Sequence, residues 1–83
     1  MDLSNSRIVL IGGAGLVGSH IVDHLIQEPV REIVVFDNFL RGTRENLASA
    51  LRSSKVRIVE GSISDREAVK RVLDGADGVF QAL

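Results

Sequence analysis

The sequence predicts an α/β fold: a partial, doubly wound parallel sheet in the order β-α-β-α-β-α-β, strands arranged 3-2-1-4, with helices on both faces. Three observations carry this. Uninterrupted aliphatic runs at Ile8-Val9-Leu10-Ile11 and Ile33-Val34-Val35-Phe36 have the pattern of parallel strands covered on both sides. Segments of helical period separate the runs, and a glycine-rich turn joins the first run to the first such segment.

In chain order, the first strand ends at the glycines of Ile11-Gly12-Gly13-Ala14-Gly15-Leu16-Val17-Gly18. From Leu16 the apolar positions Val17, Ile21 and Leu25, with Val22 and Ile26, predict a helix whose other side carries Ser19, His20, Asp23, His24 and Gln27. Pro29 ends it, because the residue before proline disfavours helical backbone. Glu32–Asp37 is the second strand and closes on a carboxylate. Thr43–Ser53 predicts a short helix opened by Thr43, with Leu47, Ala50 and Leu51 on one side. Val56–Glu60 is the third strand. Ser64 and Glu67 have capping-box spacing, so a helix is expected from there to Leu73, stopping before Gly75, with Val69, Val72 and Leu73 inward. A fourth strand begins at Gly78.

Residues 1–83 form at most one domain, with only about 60 to 65 percent of the chain's surface removed on folding. The hydrophobic fraction is 45% and the charged fraction 25%, ordinary for a folded domain. Ten basic and eleven acidic residues give a net charge of −1 with no basic stripe, which argues against a nucleic-acid partner. The apolar run near the N-terminus is too short for a signal peptide or membrane span. Cysteine is absent, which removes disulfides, thiolate metal sites and thiol catalysis and is compatible with a reducing interior; the expected location is cytoplasmic.

The glycines fit two registers. Gly13, Gly15 and Gly18 spell G-x-G-x-x-G, whereas Gly12, Gly15 and Gly18 spell G-x-x-G-x-x-G. Either follows a strand, opens a helix and precedes Asp37, which stands 19 residues after Gly18 at the end of the next strand. That context favours a dinucleotide over a purely structural turn or another nucleotide. A helix N-terminus offers unpaired N–H groups and a positive dipole end to a pyrophosphate, and glycine lets the backbone approach it. In the longer register Gly12 makes the sharp exit from the strand, Gly15 meets the pyrophosphate, Gly18 lets the helix pack close, and Leu16 and Val17 present backbone N–H groups. Asp37 can accept both adenosine ribose hydroxyls and would repel a 2′-phosphate, which favours NAD over NADP; Arg41 and Arg44 in the following loop could pair with such a phosphate. His20, Asp23 and His24 have a spacing a metal could use, but they sit opposite the apolar stripe and read as a solvated face. Ser62 and Ser64 have no partner pattern for nucleophilic catalysis, and capping accounts for Ser64.

With "GGAGLVGSH", "VVFDNFLRGTRENL", "VEGSISD" and "DGVFQAL" following one another, the chain from Arg7 onward resembles the N-terminal, Rossmann-type part of extended short-chain dehydrogenase/reductases, in particular NAD-dependent nucleotide-sugar epimerases similar to UDP-glucose 4-epimerase. The resemblance implies the longer register. It implies that Gly12, Gly15, Leu16, Val17 and Gly18 surround the pyrophosphate, that Asp37 and Asn38 meet the adenosine ribose, and that Arg41 and Gly42 lie near the adenosine. It further implies that Ser62 and Ile63 hold the adenine ring and that Ala82 and Leu83 begin the segment beneath the cofactor. Ile11 stands where the family has threonine, Ser62 where it has aspartate and Gln81 where it has histidine.

The resemblance also implies a tyrosine acid/base with a lysine four residues on, and this sequence has no tyrosine. The expectation is therefore an NAD(H)-binding segment, catalytically incomplete by itself, that meets a nucleotide sugar only within a full-length parent. Alternatives are a homo-oligomeric module with vestigial cofactor binding, the cofactor half of a nucleotide-sugar dehydratase or reductase, or an enzyme completed by a separate polypeptide. The apolar fourth strand predicts an open edge and a homodimer joined there.

Overall fold

The computed structural model of the chain describes residues 3–12, 15–39, 45–48 and 50–81. Four strands, β1 (Arg7–Ile11), β2 (Glu32–Asp37), β3 (Val56–Glu60) and β4 (Gly78–Gln81), form one sheet in the order β3-β2-β1-β4. Every pairing is parallel, with Ile8 opposite Ile33 and Gly78, and Ile33 opposite Val56. Strand order and direction are those the sequence predicts.

Because side chains alternate across a strand, the aliphatic runs feed two cores at once. Ile8, Leu10, Ile33 and Val35 pack on one face with Val22 and Leu25 of α1 (Leu16–Ile26), Val30 and Leu47. Val9, Ile11, Val34 and Phe36 pack on the other with Val72 of α2 (Arg66–Leu73), where Val69 and Leu73 are half-buried. β1 and β2 are therefore nearly closed to solvent, whereas β3 is half-buried and β4 largely exposed.

Four local expectations need correction. Val17 belongs outside the apolar stripe, being 68% exposed, and Ser19 is buried rather than part of the polar side. The row facing the sheet is Gly18, Val22 and Leu25, and Ser19, next to Gly18, is buried with it. The helix expected over Thr43–Ser53 is instead two three-residue 3₁₀ segments, Glu45–Leu47 and Ala50–Arg52; Thr43 lies outside the described residues. Leu47 is fully buried but Leu51 is exposed, so this stretch has one anchor where a stable helix needs a stripe. The cap of α2 is Asp65, whose Oδ1 accepts the Ala68 N–H at 3.2 Å, and not Ser64, whose hydroxyl lies 2.8 Å from that of Ser62. A carboxylate one residue nearer the helix combines the cap bond with the dipole attraction. The end of α1 is as expected: it closes at Ile26 through i to i−3 bonds from Gln27 and Glu28, just before Pro29.

Arg7 joins the end of the sheet opposite the glycine turn to α2. Its Nη1 donates to the carbonyls of Val72 (2.8 Å) and Asp74 (3.0 Å), and its Nε to Glu32 Oε1 (3.1 Å). Its backbone exchanges bonds with Asp77, receiving the Asp77 N–H and donating to Asp77 Oδ2, both at 2.8 Å.

Gly61 directly follows β3 beside Phe36. A Cβ there would stand 2.8 and 2.9 Å from the ring of the fully buried Phe36. Gly61→Ala is expected to destabilise the fold by about 1–3 kcal/mol through overpacking, read as a lower urea midpoint.

Candidate functional site

The C-terminal ends of the four parallel strands define the side of the sheet on which doubly wound folds hold ligands. β1 runs into Gly12, whose N–H donates to the Phe36 carbonyl at 2.8 Å and whose φ of +83° turns the chain sharply away. That left-handed backbone suits glycine. Gly15, in extended conformation at φ −73° and ψ 172°, then caps α1, and the Ser19 N–H makes the first helical bond to its carbonyl at 2.8 Å.

The two helices differ at their N-termini. α2 satisfies its own with the Asp65 carboxylate and has Glu67 in its first turn. α1 has no side-chain cap and no acidic residue in its first turn, so the N–H groups of Leu16, Val17 and Gly18 precede the first intrahelical bond. A Cβ built on Gly15 would meet, among the described residues, only the Gly12 carbonyl oxygen, at an ordinary 3.7 Å. Among the described residues the fold therefore leaves room for a side chain at Gly15, the residue that directly precedes the uncapped amides.

Asp37 ends β2 one strand over and is 8% exposed. Its Oδ1 accepts the Phe39 N–H at 2.7 Å, and Phe39 holds a φ of +61° while packing against the α1-side core. For a bulky residue this backbone costs about 1–2 kcal/mol, and the carboxylate bond and the packing hold it in place. Asn38 is exposed beside it. The Gly61 N–H donates to the Asp37 carbonyl at 3.0 Å, which brings half-buried Ser62 and exposed Ile63 to the same end of the sheet.

Of the residues singled out in the sequence, Gly12, Gly15, Leu16, Val17, Gly18, Asp37, Asn38, Ser62 and Ile63 thus line the ends of β1, β2 and β3. Arg41, Gly42, Arg44, Ala82 and Leu83 lie outside the described residues, as does Gly13 of the shorter register. His20, Asp23 and His24 are all exposed on the outer side of α1. Sequence reasoning missed the Phe39 N–H, the Ser62–Ser64 pair and the Arg7 tie. Of these the first two had a local signal, an aspartate or a serine two residues before the amide it accepts.

A groove of about 340 Å³ lies between β3 and α2, lined by Arg57 and Val59 of the strand and Ala68 and Arg71 of the helix and reaching Gly61 at the end of the strand. No helix among the described residues is long and apolar enough to cross a membrane.

Comparison with known proteins is consistent with this geometry. The profile of the NmrA-like family matches residues 4–83. UDP-glucuronic acid decarboxylase 6 of Arabidopsis thaliana is 36% identical over 62 residues, covering 75% of this chain and 18% of that protein. UDP-glucose 4-epimerase of Streptococcus mutans is 37% identical over 65 residues, covering 78% and 18%. The Bordetella bronchiseptica enzyme WbmF, solved in complex with NAD+ and UDP, superposes with a TM-score of 0.83 at 34% identity over 96% of this chain and 23% of its own. The chain thus spans about one fifth of the length of such relatives, and the expected resemblance to nucleotide-sugar enzymes of the short-chain dehydrogenase/reductase type is found.

Proposed function

The chain belongs to the NmrA-like family, and from that premise we propose that it is an NAD(H)-binding segment of a nucleotide-sugar epimerase-like protein. The observation that carries this is the uncapped N-terminus of α1 behind Gly12 and Gly15, one strand from the buried Asp37. The amides of Leu16, Val17 and Gly18 would hold the pyrophosphate with the positive end of the helix. Asp37, fixed by the Phe39 N–H, would accept the adenosine ribose hydroxyls, with Asn38 and the 41–42 loop beside them. Val17, exposed at the mouth, would shield one flank of the bound cofactor, and Ala82 and Leu83 would pass beneath it.

When bound, NAD would supply an acceptor for the hydride on the carbon that bears a sugar hydroxyl. In the family reaction a base must remove the hydroxyl proton as hydride leaves. These 83 residues contain no tyrosine, so the segment is proposed to bind the cofactor without turning over a nucleotide sugar by itself. Decarboxylase and epimerase relatives and a dehydratase structure share this portion, so a dehydratase or reductase parent is the alternative. The proposed compartment is the cytoplasm.

Calorimetric titration tests the reading. NAD is expected to saturate the chain and to bind about tenfold or more tighter than NADP, whose 2′-phosphate would face the Asp37 carboxylate. Asp37→Ala removes charge-assisted bonds of about 1.5–3 kcal/mol each, so NAD is expected to weaken by at least about tenfold and the preference to collapse. Saturation by neither dinucleotide would overturn the proposal.

A second reading rests on β4, whose outer edge has no strand partner among the described residues while Val79 is 51% and Phe80 38% exposed. We propose that in isolation this edge pairs with that of a second copy, giving a two-fold dimer. Light scattering at high micromolar concentration is expected to show the dimer, and Val79→Lys to return it to monomer; a monomeric wild-type chain would exclude the pairing.

A further inference from the structure

The inference concerns the cofactor's base and rests on the dinucleotide reading above. Neighbouring strands stand about 4.8 Å apart. A ligand with its pyrophosphate beyond β1 and its ribose on Asp37 beyond β2 therefore continues, in the same direction, to the end of β3. There the chain is Gly61–Ser64, tied to β2 by the Gly61 bond to the Asp37 carbonyl. Ile63 offers an exposed apolar surface to a ring face, and Ser62 stands next to it.

The Ser62 hydroxyl is part of a pair. Its Oγ accepts the Ser64 N–H at 3.2 Å and lies 2.8 Å from Ser64 Oγ, with either oxygen able to donate. A hydroxyl has one donor and two acceptor positions. The Ser64 N–H fills one acceptor position of Ser62. When the Ser64 hydroxyl donates across the 2.8 Å contact it fills the second, and Ser62's own O–H is left to point outward as a donor. When Ser62 donates instead, one acceptor position remains open to a ligand N–H. Both arrangements keep the same number of internal hydrogen bonds, so little free energy separates them and the bound group selects between them.

We propose that the Ser62–Ser64 pair makes the base subsite amphoteric, so that it takes a purine with a 6-oxo group about as well as one with a 6-amino group. An aspartate at this position could only accept, and would therefore read the amino group. The pair instead turns its outward group from acceptor to donor by exchanging one proton direction.

The test compares NAD with nicotinamide hypoxanthine dinucleotide by calorimetry on wild type, Ser62→Ala and Ser62→Asp. Wild type is expected to bind the two within about threefold. Ser62→Ala is expected to weaken both by a similar factor of about three to ten, because each loses its bond. Ser62→Asp is expected to favour NAD by about tenfold or more. A wild-type preference of tenfold for either dinucleotide, or a Ser62→Ala variant that binds both unchanged, would overturn this proposal while leaving the cofactor reading intact. Saturation by neither would overturn both. Matching urea midpoints for the three proteins would exclude a folding defect as the source of any difference.

Discussion

Gly15→Ala is expected to abolish measurable NAD binding while leaving the fold intact. The backbone at Gly15 is extended and open to any residue, and the added Cβ meets only the Gly12 carbonyl oxygen at 3.7 Å among the described residues. The stability cost is therefore that of changing a helix-capping glycine, at most about 1 kcal/mol. The same methyl projects where a pyrophosphate must come to reach the amides of Leu16 and Val17. Losing two charge-assisted hydrogen bonds at about 1.5–3 kcal/mol each corresponds to a drop in affinity of about a hundredfold or more. Gly12→Ala makes the contrast: its φ of +83° penalises any side chain, so stability is expected to fall by about 1–2 kcal/mol as well. Calorimetry and urea unfolding on both variants separate a glycine kept for ligand access from one kept for the turn. Unchanged NAD affinity in Gly15→Ala would place the ligand elsewhere.

Arg7→Ala is expected to produce the largest loss of stability among surface-reaching residues. The side chain is only 11% exposed and serves three acceptors, the Val72 and Asp74 carbonyls at the C-terminal end of α2 and the Glu32 carboxylate. Truncation would leave those carbonyls without their charged donor and Glu32, among the described residues, with the ion pair to Arg57 at 3.5 Å. Partly buried groups stripped of such a partner cost about 2–4 kcal/mol in total. A chain of 83 residues has about 4–12 kcal/mol to lose. The expected drop in Tm is about 10–20 °C, and Arg7→Lys, with one compact ammonium in place of a fork of donors, is expected to recover only part of it. A Tm within about 3 °C of wild type would contradict the role given to Arg7.

The aliphatic runs at 8–11 and 33–36 were legible because a strand buried on both faces leaves no polar position, and only a parallel sheet flanked by helices offers that setting. The parallel direction followed from alternation with helices, and the order from reading the sheet as the dinucleotide-binding kind. What failed was local and decided by packing. Val17 carries an apolar side chain at the expected spacing, yet the inner row is set by Gly18, which has no hydrophobicity to register in a helical pattern. Ser64 and Glu67 matched a capping pattern, but the neighbouring Asp65 carboxylate holds the position and Ser64 pairs with Ser62 instead. Within the candidate site, Asp37 and the glycines were visible as residue types at fixed spacing. The Phe39 N–H that orients the carboxylate had only the weak signal of an aspartate two residues before it, and the 2.8 Å hydroxyl contact depends on backbone geometry. Arg7 was invisible for the same reason, its acceptors lying 25 to 67 residues away.

The central claim is that the ends of β1, β2 and β3 form one dinucleotide site. Backbone amide shifts of the isotopically labelled chain, followed by NMR through an NAD titration, test it most directly. Saturable shifts are expected at Gly12, at Gly15 through Gly18, at Asp37 through Phe39 and at Gly61 through Ser64, with Arg57, Ala68 and Arg71 along the neighbouring groove unmoved. An unperturbed spectrum, or shifts at Arg57, Ala68 and Arg71 with Gly12 and Gly15 through Gly18 unmoved, would contradict the account.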